Sequence, residues 1–139
     1  MTTETRLREL GIDLPPVAAP VGAYVPAMRA AGLVFTAGQL PLRDGKLIAA
    51  GKVPSDVSLE IAQASARQAT LNALSAVRSV VGSLDDIARV VRVNVFVNSA
   101  AGFTDQAKVA NGASELLGEI FGQSGRHTRC AVGTAELPF

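Results

Sequence analysis

The side chains with the most reactive chemistry in this sequence lie close together near its carboxyl end. Arg126, His127, Arg129 and Cys130 all fall between residues 126 and 130. Guanidinium and imidazolium groups attract anions, and a planar guanidinium matches a carboxylate in bidentate fashion. The cluster therefore indicates one of two things. It either captures an anion, a carboxylate or a phosphate, or it is a solvated loop with one arginine directed inward.

The sequence gives little evidence for a metal site, a nucleophilic pair or a nucleotide-binding motif. His127 and Cys130 are the only histidine and the only cysteine, so they do not build a zinc site alone. Their close spacing across a loop and a strand is also poor geometry for a Cys-His nucleophile pair. No G-x-G-x-x-G, G-x-x-x-x-G-K-[ST] or G-x-S-x-G motif occurs. Dinucleotide, P-loop and serine-elbow sites are therefore not expected.

Two strands are predicted to position this cluster. Residues 89–98 alternate, with valines on one face and Arg92, Asn94, Phe96 and Asn98 on the other, which is typical of a half-buried strand. The second strand runs from residue 128 to residue 135 and carries Arg129. Phe96 lies among polar neighbours, which indicates a wet or intersubunit surface.

Two helices are predicted to pack against these strands. Residues 58–81 carry a stripe of small residues at helical spacing, and Gly82 ends the helix. The stripe consists of Ala62, Ala66, Ala69, Ala73, Ala76 and Val80. A second helix is expected from about residue 104 to residue 121, with a bend or interruption at Asn111-Gly112.

The first third of the chain favours short strands and turns. Residues 1–22 are interpreted as an N-terminal arm, with one amphipathic turn around Leu7 before a proline-rich stretch. Strands are expected over residues 24–29, 33–37 and 46–49, with turns at Ala31-Gly32 and Asp44-Gly45. The resulting order, β-β-(β)-α-β-α-β, predicts an α+β domain from residue 23 to residue 139. Both helices are expected on one face of a mixed sheet.

Composition and charge argue against further classes of function. The chain has 139 residues, of which 48% are hydrophobic and 18% charged, which suits one folded domain. A formal charge of +1 and an aromatic content of 4% argue against nucleic-acid binding. A single cysteine fits a cytosolic location, and no apolar run is long enough for a membrane span.

Four stretches, in order along the chain, resemble the RidA/YjgF family of enamine/imine deaminases. Residues 21–27 (VGAYVPA) resemble G-P-Y-S-Q-A, and residues 35–41 (FTAGQLP) resemble F-x-S-G-Q-[IL]-P. Residues 82–86 (GSLDD) are similar to G-S-[LS]-x-D-[VI], and residues 128–133 (TRCAVG) to A-R-[ST]-x-V-G. The stretch from Phe103 to Ser114 resembles a subgroup with a longer second helix.

The resemblance implies a chorismate-mutase-like fold and a homotrimer with clefts between neighbouring subunits. It implies hydrolysis of reactive enamines and imines, such as 2-aminoacrylate or 2-iminobutanoate, to 2-keto acids and ammonia, with no metal or organic cofactor. Arg129 matches the family's essential arginine, the anchor of the substrate carboxylate. Tyr24 matches the cleft tyrosine, and Gly38 matches a position where the backbone approaches the ligand.

The resemblance extends less directly to three further residues. Cys130 or Ala131 is expected to contribute main-chain groups to substrate binding, and Asn111 is the nearest match to a helix asparagine lining the cleft. The archetype has its cysteine two residues after the arginine, whereas Cys130 follows Arg129 directly. Successive strand residues face opposite ways, so Cys130 need not point into the cleft. We also expect residues 23–139 to lack the family's final strand, with its water-positioning glutamate.

Two other functions stay open at this stage. One is a trimer on the same fold that binds small carboxylates or proteins without catalysis. The other is RNA cleavage, which the near-neutral charge and the lone His127 disfavour, because ribonucleases need phosphate neutralisation and an acid–base pair.

Overall fold

The computed structural model describes residues 1–139 and begins with a short helix, α1 (Thr3–Glu9). Thr2 caps this helix, since its side-chain oxygen accepts a hydrogen bond from the Thr5 N–H. Leu7 is only 2% exposed and belongs to the main hydrophobic core. The turn predicted around Leu7 is therefore confirmed as a helix, and this helix packs on the rest of the domain.

Two β-hairpins follow the proline-rich stretch. Strands β1 (Ala27–Ala30) and β2 (Leu33–Thr36) pair antiparallel, as do β3 (Leu42–Arg43) and β4 (Lys46–Leu47). The turn residues have positive φ, with Ala31 at 52° and Gly32 at 74°, and Asp44 at 53° and Gly45 at 78°. Two consecutive positive φ values define the type I′ turns that suit tight hairpins. Both predicted turns are confirmed, although β1 starts after Pro26 and β4 is shorter than expected.

Both long helices form where the periodicity predicts them. Helix α2 spans Leu59–Val81, with Ser58 Oγ accepting from the Ile61 N–H at its start and Gly82 at φ 87° at its end. Helix α3 spans Gln106–Phe121 as one continuous helix, so the interruption predicted at Asn111-Gly112 is wrong. Glycine at position 112 relieves a steric clash between helices, because a Cβ there would lie 2.1 Å from the Gln63 carbonyl oxygen. The absent side chain lets α3 approach α2 closely.

The last two strands run parallel to each other. β5 (Arg92–Asn98) pairs with β6 (Thr128–Thr134), with Val93 opposite Arg129 and Phe96 opposite Val132. Helix α3 contacts both of these strands, whereas α2 contacts β1 and β2. The α+β class is confirmed. The strands, however, form three separate two-stranded ladders rather than one continuous sheet.

The residues of α2 that are buried differ in part from the predicted stripe. Val80 is exposed, whereas three polar residues, Gln68, Asn72 and Ser75, are buried. The Asn72 amide donates to the carbonyl oxygens of Leu40 and Leu42 at 2.9 and 3.0 Å. A buried amide is tolerated because its hydrogen bonds are satisfied. The main core cluster comprises Leu7, Leu74, Leu84, Leu116, Leu117 and Ile120.

No helix in the structure combines the length and the apolar character needed to cross a membrane.

Candidate functional site

Arg129 lies on β6 and extends toward helix α3. Its Nη1 donates to Asn111 Oδ1 at 2.8 Å and to Ser114 Oγ at 3.2 Å. Asn111 and Ser114 are one turn apart on α3, so their side chains share a face of that helix. The structure therefore brings together Arg129 and Asn111, two of the residues singled out from the sequence.

The charge of Arg129 has no carboxylate partner. Salt bridges in the structure are made by Arg6, Lys52, Arg67, Arg78 and Lys108. Both protein hydrogen bonds of the Arg129 guanidinium are donated by Nη1, so Nε and Nη2 are free to donate to a ligand. This edge of the guanidinium has the fork geometry that binds a carboxylate through two parallel hydrogen bonds.

Ser114 and His127 form a second pair that sequence reasoning did not single out. Ser114 Oγ lies 2.9 Å from His127 Nε2, and His127 Nδ1 lies 2.6 Å from the Gly125 carbonyl oxygen. A Cβ on Gly125 would lie 2.3 Å from the Leu117 carbonyl oxygen, so glycine lets this loop sit against α3. The signal in the sequence was the basic cluster itself, but nothing local connected His127 to a serine on the helix.

These residues surround a polar depression that is open to solvent. Its lining includes no hydrophobic side chain and no carboxylate, and its volume is about 410 Å³. The depression is lined by Ser114, Gly118, Gly125, Arg126, His127 and Arg129. Two guanidinium groups with no carboxylate in the lining give the depression a positive charge, which attracts anions. No cluster of three His, Cys, Asp or Glu side chains that would hold a metal ion is present.

Cys130 and Ala131 differ in how they face this depression. The Cys130 side chain points to the opposite side of the strand from Arg129, because neighbouring strand residues alternate, and the thiol is half-buried. The Thr128 N–H donates to the Val91 carbonyl, so by the same alternation the Cys130 N–H also faces β5. The Ala131 N–H then lies at the open edge of the ladder, pointing away from β5.

Tyr24 and Gly38 lie elsewhere in the chain. Tyr24 is 48% exposed, and its hydroxyl accepts a hydrogen bond from the Val21 N–H. It lines a separate, mainly apolar depression with Met28 and Phe35. Gly38 follows β2, and a Cβ at this position would have no atom within 4 Å beyond its chain neighbours. Neither residue hydrogen-bonds to Arg129 or lines its depression.

The fold and the polar depression together define a class, a small α+β domain in which an arginine without a carboxylate partner lines a polar depression. The family model described as "YjgF/chorismate mutase-like, putative endoribonuclease" matches residues 4–139. The chain belongs to this family, as its four motifs predicted.

Known relatives support this assignment. Protein TCP17 of Trypanosoma cruzi is 44% identical over 134 residues, which cover 96% of this chain and 84% of TCP17. The crystal structure of Atu1372 from Agrobacterium tumefaciens, a protein described as having unknown function, is 41% identical with a TM-score of 0.89, covering 99% of this chain and 84% of that one. A "putative endoribonuclease" from Shewanella oneidensis MR-1 is 36% identical with a TM-score of 0.95, covering 99% and 91%.

Proposed function

We propose that this protein hydrolyses reactive enamines and imines of short 2-amino acids, releasing 2-keto acids and ammonia. Arg129 is the anchor for the substrate carboxylate. The observation that carries this proposal is the free Nε–Nη2 edge of Arg129, which has no carboxylate partner while Asn111 and Ser114 hold the opposite side of the guanidinium. A donor fork fixed in this way is oriented before the substrate arrives, which reduces the entropy lost on binding.

The surroundings of Arg129 also suit a small, polar substrate. The depression has no apolar wall that would select a large hydrophobic side chain. The Ala131 N–H, at the open edge of the ladder, is a further donor for the carboxylate or for the developing oxygen. An imino acid of two to four carbons carries a carboxylate and a polar reacting centre, and it matches these donors.

We further propose a homotrimer in which the substrate cleft lies between subunits. Phe96 and Val132 are paired across β5 and β6 on the face turned away from α3, and they are 58% and 40% exposed. Met28 and Phe35 are paired across the first hairpin, and each is 57% exposed. Apolar faces of this kind are favourable to cover in an assembly. In the trimer, Tyr24 and Gly38 of one subunit would complete the site around Arg129 of its neighbour.

The test is a competition assay for the imine. An amino-acid oxidase generates imines in situ, semicarbazide traps them, and the protein is added as a competing catalyst. Wild-type protein should lower the yield of semicarbazone, and Arg129→Ala should restore it. Arg129→Lys, which keeps the charge but loses the fork, should recover only part of the activity. Arg8→Ala, at an exposed position on α1, serves as the matched control and should behave as wild type.

Full activity of Arg129→Ala would reject Arg129 as the anchor. Binding of 2-keto acids without any turnover of imines would instead favour a non-enzymatic carboxylate-binding role. The family description mentions an endoribonuclease, so the same preparations should be incubated with RNA at low and high salt. Cleavage that weakens with salt and tracks the purified protein would favour RNA as the substrate.

A further inference from the structure

The guanidinium of Arg129 is held by its neighbours and not by burial. Arg129 is exposed, and a long exposed side chain samples many rotamers unless contacts restrict it. Two hydrogen bonds restrict this one, both donated by Nη1, to Asn111 Oδ1 at 2.8 Å and to Ser114 Oγ at 3.2 Å. The direction of the free Nε–Nη2 edge therefore depends on how these two acceptors are themselves oriented.

The two acceptors differ in how they are fixed. The amide oxygen of Asn111 can only accept, whereas the hydroxyl of Ser114 rotates and can donate or accept. Its lone pairs face Arg129 only in those rotations in which its hydrogen points elsewhere. The contact at 3.2 Å therefore depends on a further group that receives the serine hydrogen, and that group is His127.

His127 determines the direction of the serine hydroxyl. The Gly125 carbonyl can only accept, so His127 Nδ1 carries the hydrogen of their 2.6 Å contact. In the neutral imidazole Nε2 is then the acceptor, and Ser114 Oγ donates to it over 2.9 Å. The serine hydrogen is turned toward His127, which leaves a lone pair for Arg129. Gly125 is buried, so the far end of this hydrogen-bond chain is held by the interior of the domain.

We propose that His127 is a positioning residue for the substrate anchor. Through Ser114, it holds the Nε–Nη2 edge of Arg129 in the direction that receives the substrate carboxylate. The inference rests on the proposed deaminase function. His127 lies on the Nη1 side of the guanidinium, and both of its ring nitrogens are bonded to the protein. It therefore acts on the orientation of the anchor and not on the reacting bond.

This role predicts an effect on substrate binding and not on the chemical step. An anchor that is already oriented loses less freedom when the carboxylate binds. Loss of that orientation weakens binding of the ground state and the transition state alike, so it should raise KM and leave kcat nearly unchanged. An imine without a carboxylate does not use the anchor, and its kcat/KM should not respond to a change at His127.

Two substitutions separate the two hydrogen bonds of His127. The amide nitrogen of asparagine can take the place of Nδ1 and keep the bond to Gly125, but asparagine is too short to reach Ser114. The longer glutamine can place its amide oxygen near the position of Nε2 and accept from Ser114. His127→Asn should raise KM for an imino acid by about 2- to 10-fold, the range that the net contribution of one hydrogen bond represents. His127→Gln should recover most of the wild-type KM.

A cycle of variants tests whether His127 acts through Ser114. Ser114→Ala should raise KM in the same way, and the double variant Ser114→Ala/His127→Asn should be no worse than Ser114→Ala alone. In the Arg129→Ala background, His127→Asn should have no further effect. Ser65→Ala on α2 is the matched control, because Ser65 is also a half-buried helix serine, and it should keep the wild-type KM and kcat.

Three results would overturn the positioning role. They are an unchanged KM in His127→Asn, a loss confined to kcat, and equal losses of kcat/KM on imines with and without the carboxylate. Activity that depends on Arg129 but is indifferent to His127→Asn would reject this role alone. An inactive wild type would reject the deaminase function, and the role with it.

The tautomer of His127 gives a test that does not depend on activity. His127 is the only histidine, so long-range ¹H–¹⁵N spectra report a single imidazole. The bond to the Gly125 carbonyl requires the Nδ1–H tautomer in the neutral ring. Observation of that tautomer would support the proposed direction of the serine hydroxyl, and a predominant Nε2–H tautomer would overturn it.

Discussion

Replacing Gly112 with alanine should destabilise the protein, although alanine is the better helix former. The new Cβ would lie 2.1 Å from the carbonyl oxygen of Gln63, 2.9 Å from its carbonyl carbon and 3.1 Å from its Cα. Comfortable contacts between carbon atoms are about 3.5–4.0 Å, so α2 and α3 must separate by roughly 1 Å. These are backbone atoms of a helix, which do not rotate away as the end of a flexible side chain would.

The expected change in the free energy of unfolding follows from two opposing effects. Overpacking a core typically costs about 1–3 kcal/mol and occasionally more, and a backbone clash belongs at the upper end of this range. Helix propensity returns about 1 kcal/mol when glycine becomes alanine. The net loss should be about 2 kcal/mol, which corresponds to a fall in Tm of roughly 8 °C for a domain of this size.

Gly118→Ala is the internal control for this prediction. Gly118 lies on the same helix and is exposed, and a Cβ at this position would have no other atom within 4 Å. It should gain up to about 1 kcal/mol from helix propensity. Urea unfolding at equal protein concentration would compare the two variants with wild type. A Gly112→Ala variant as stable as wild type would refute the close helix crossing as the reason for glycine at this position.

Three further predictions concern the core, a helix cap and the assembly. Leu116→Ala should lose about 2–5 kcal/mol of unfolding free energy, because Leu116 is fully buried and its removal leaves a cavity. Ser58→Ala should lose about 1 kcal/mol in the same urea measurement, because the Ile61 N–H loses its capping acceptor. Phe96→Glu should give a lower mass by light scattering with an unchanged circular dichroism spectrum. The similarly exposed Ile61→Glu on α2 should keep the wild-type mass, and a trimeric Phe96→Glu would exclude that face from the interface.

The elements with strong periodicity were predictable from the sequence. Helix α2 and strand β5 follow from repeating patterns within one segment, and Gly82 ends α2 where a C-terminal glycine is expected. The tight turn at Ala31-Gly32 likewise depends on local backbone preference. In each case the information lies within a few residues of the element it determines.

Features that depend on distant contacts were missed. Asn72 is buried because carbonyl groups thirty residues earlier accept its hydrogen bonds, and no pattern within α2 reveals them. Gly112 was interpreted as a bend, whereas its reason is a neighbouring helix. The separation of the strands into three ladders also depends on the packing of the whole chain.

In the candidate site too, local motifs were predictable from the sequence and contacts between distant segments were not. Arg129 and Asn111 were found through short motifs, and the structure brings their side chains within 2.8 Å. The contact between Ser114 and His127 was not foreseen, because it requires α3 and the loop at Gly125 to meet. The motifs single out Arg129, and the tertiary structure adds Asn111 and Ser114 as the neighbours that orient its guanidinium.

The most direct test of the central claim measures how Arg129 recognises the substrate carboxylate. Wild type and Arg129→Ala are each assayed with an imino acid and with the corresponding imine that lacks the carboxylate. Charge-assisted hydrogen bonds are worth about 1.5–3 kcal/mol, so Arg129→Ala should lower kcat/KM for the imino acid by roughly 10- to 100-fold. The same variant should leave the poor turnover of the carboxylate-free imine unchanged. Equal losses on both imines would contradict a carboxylate anchor.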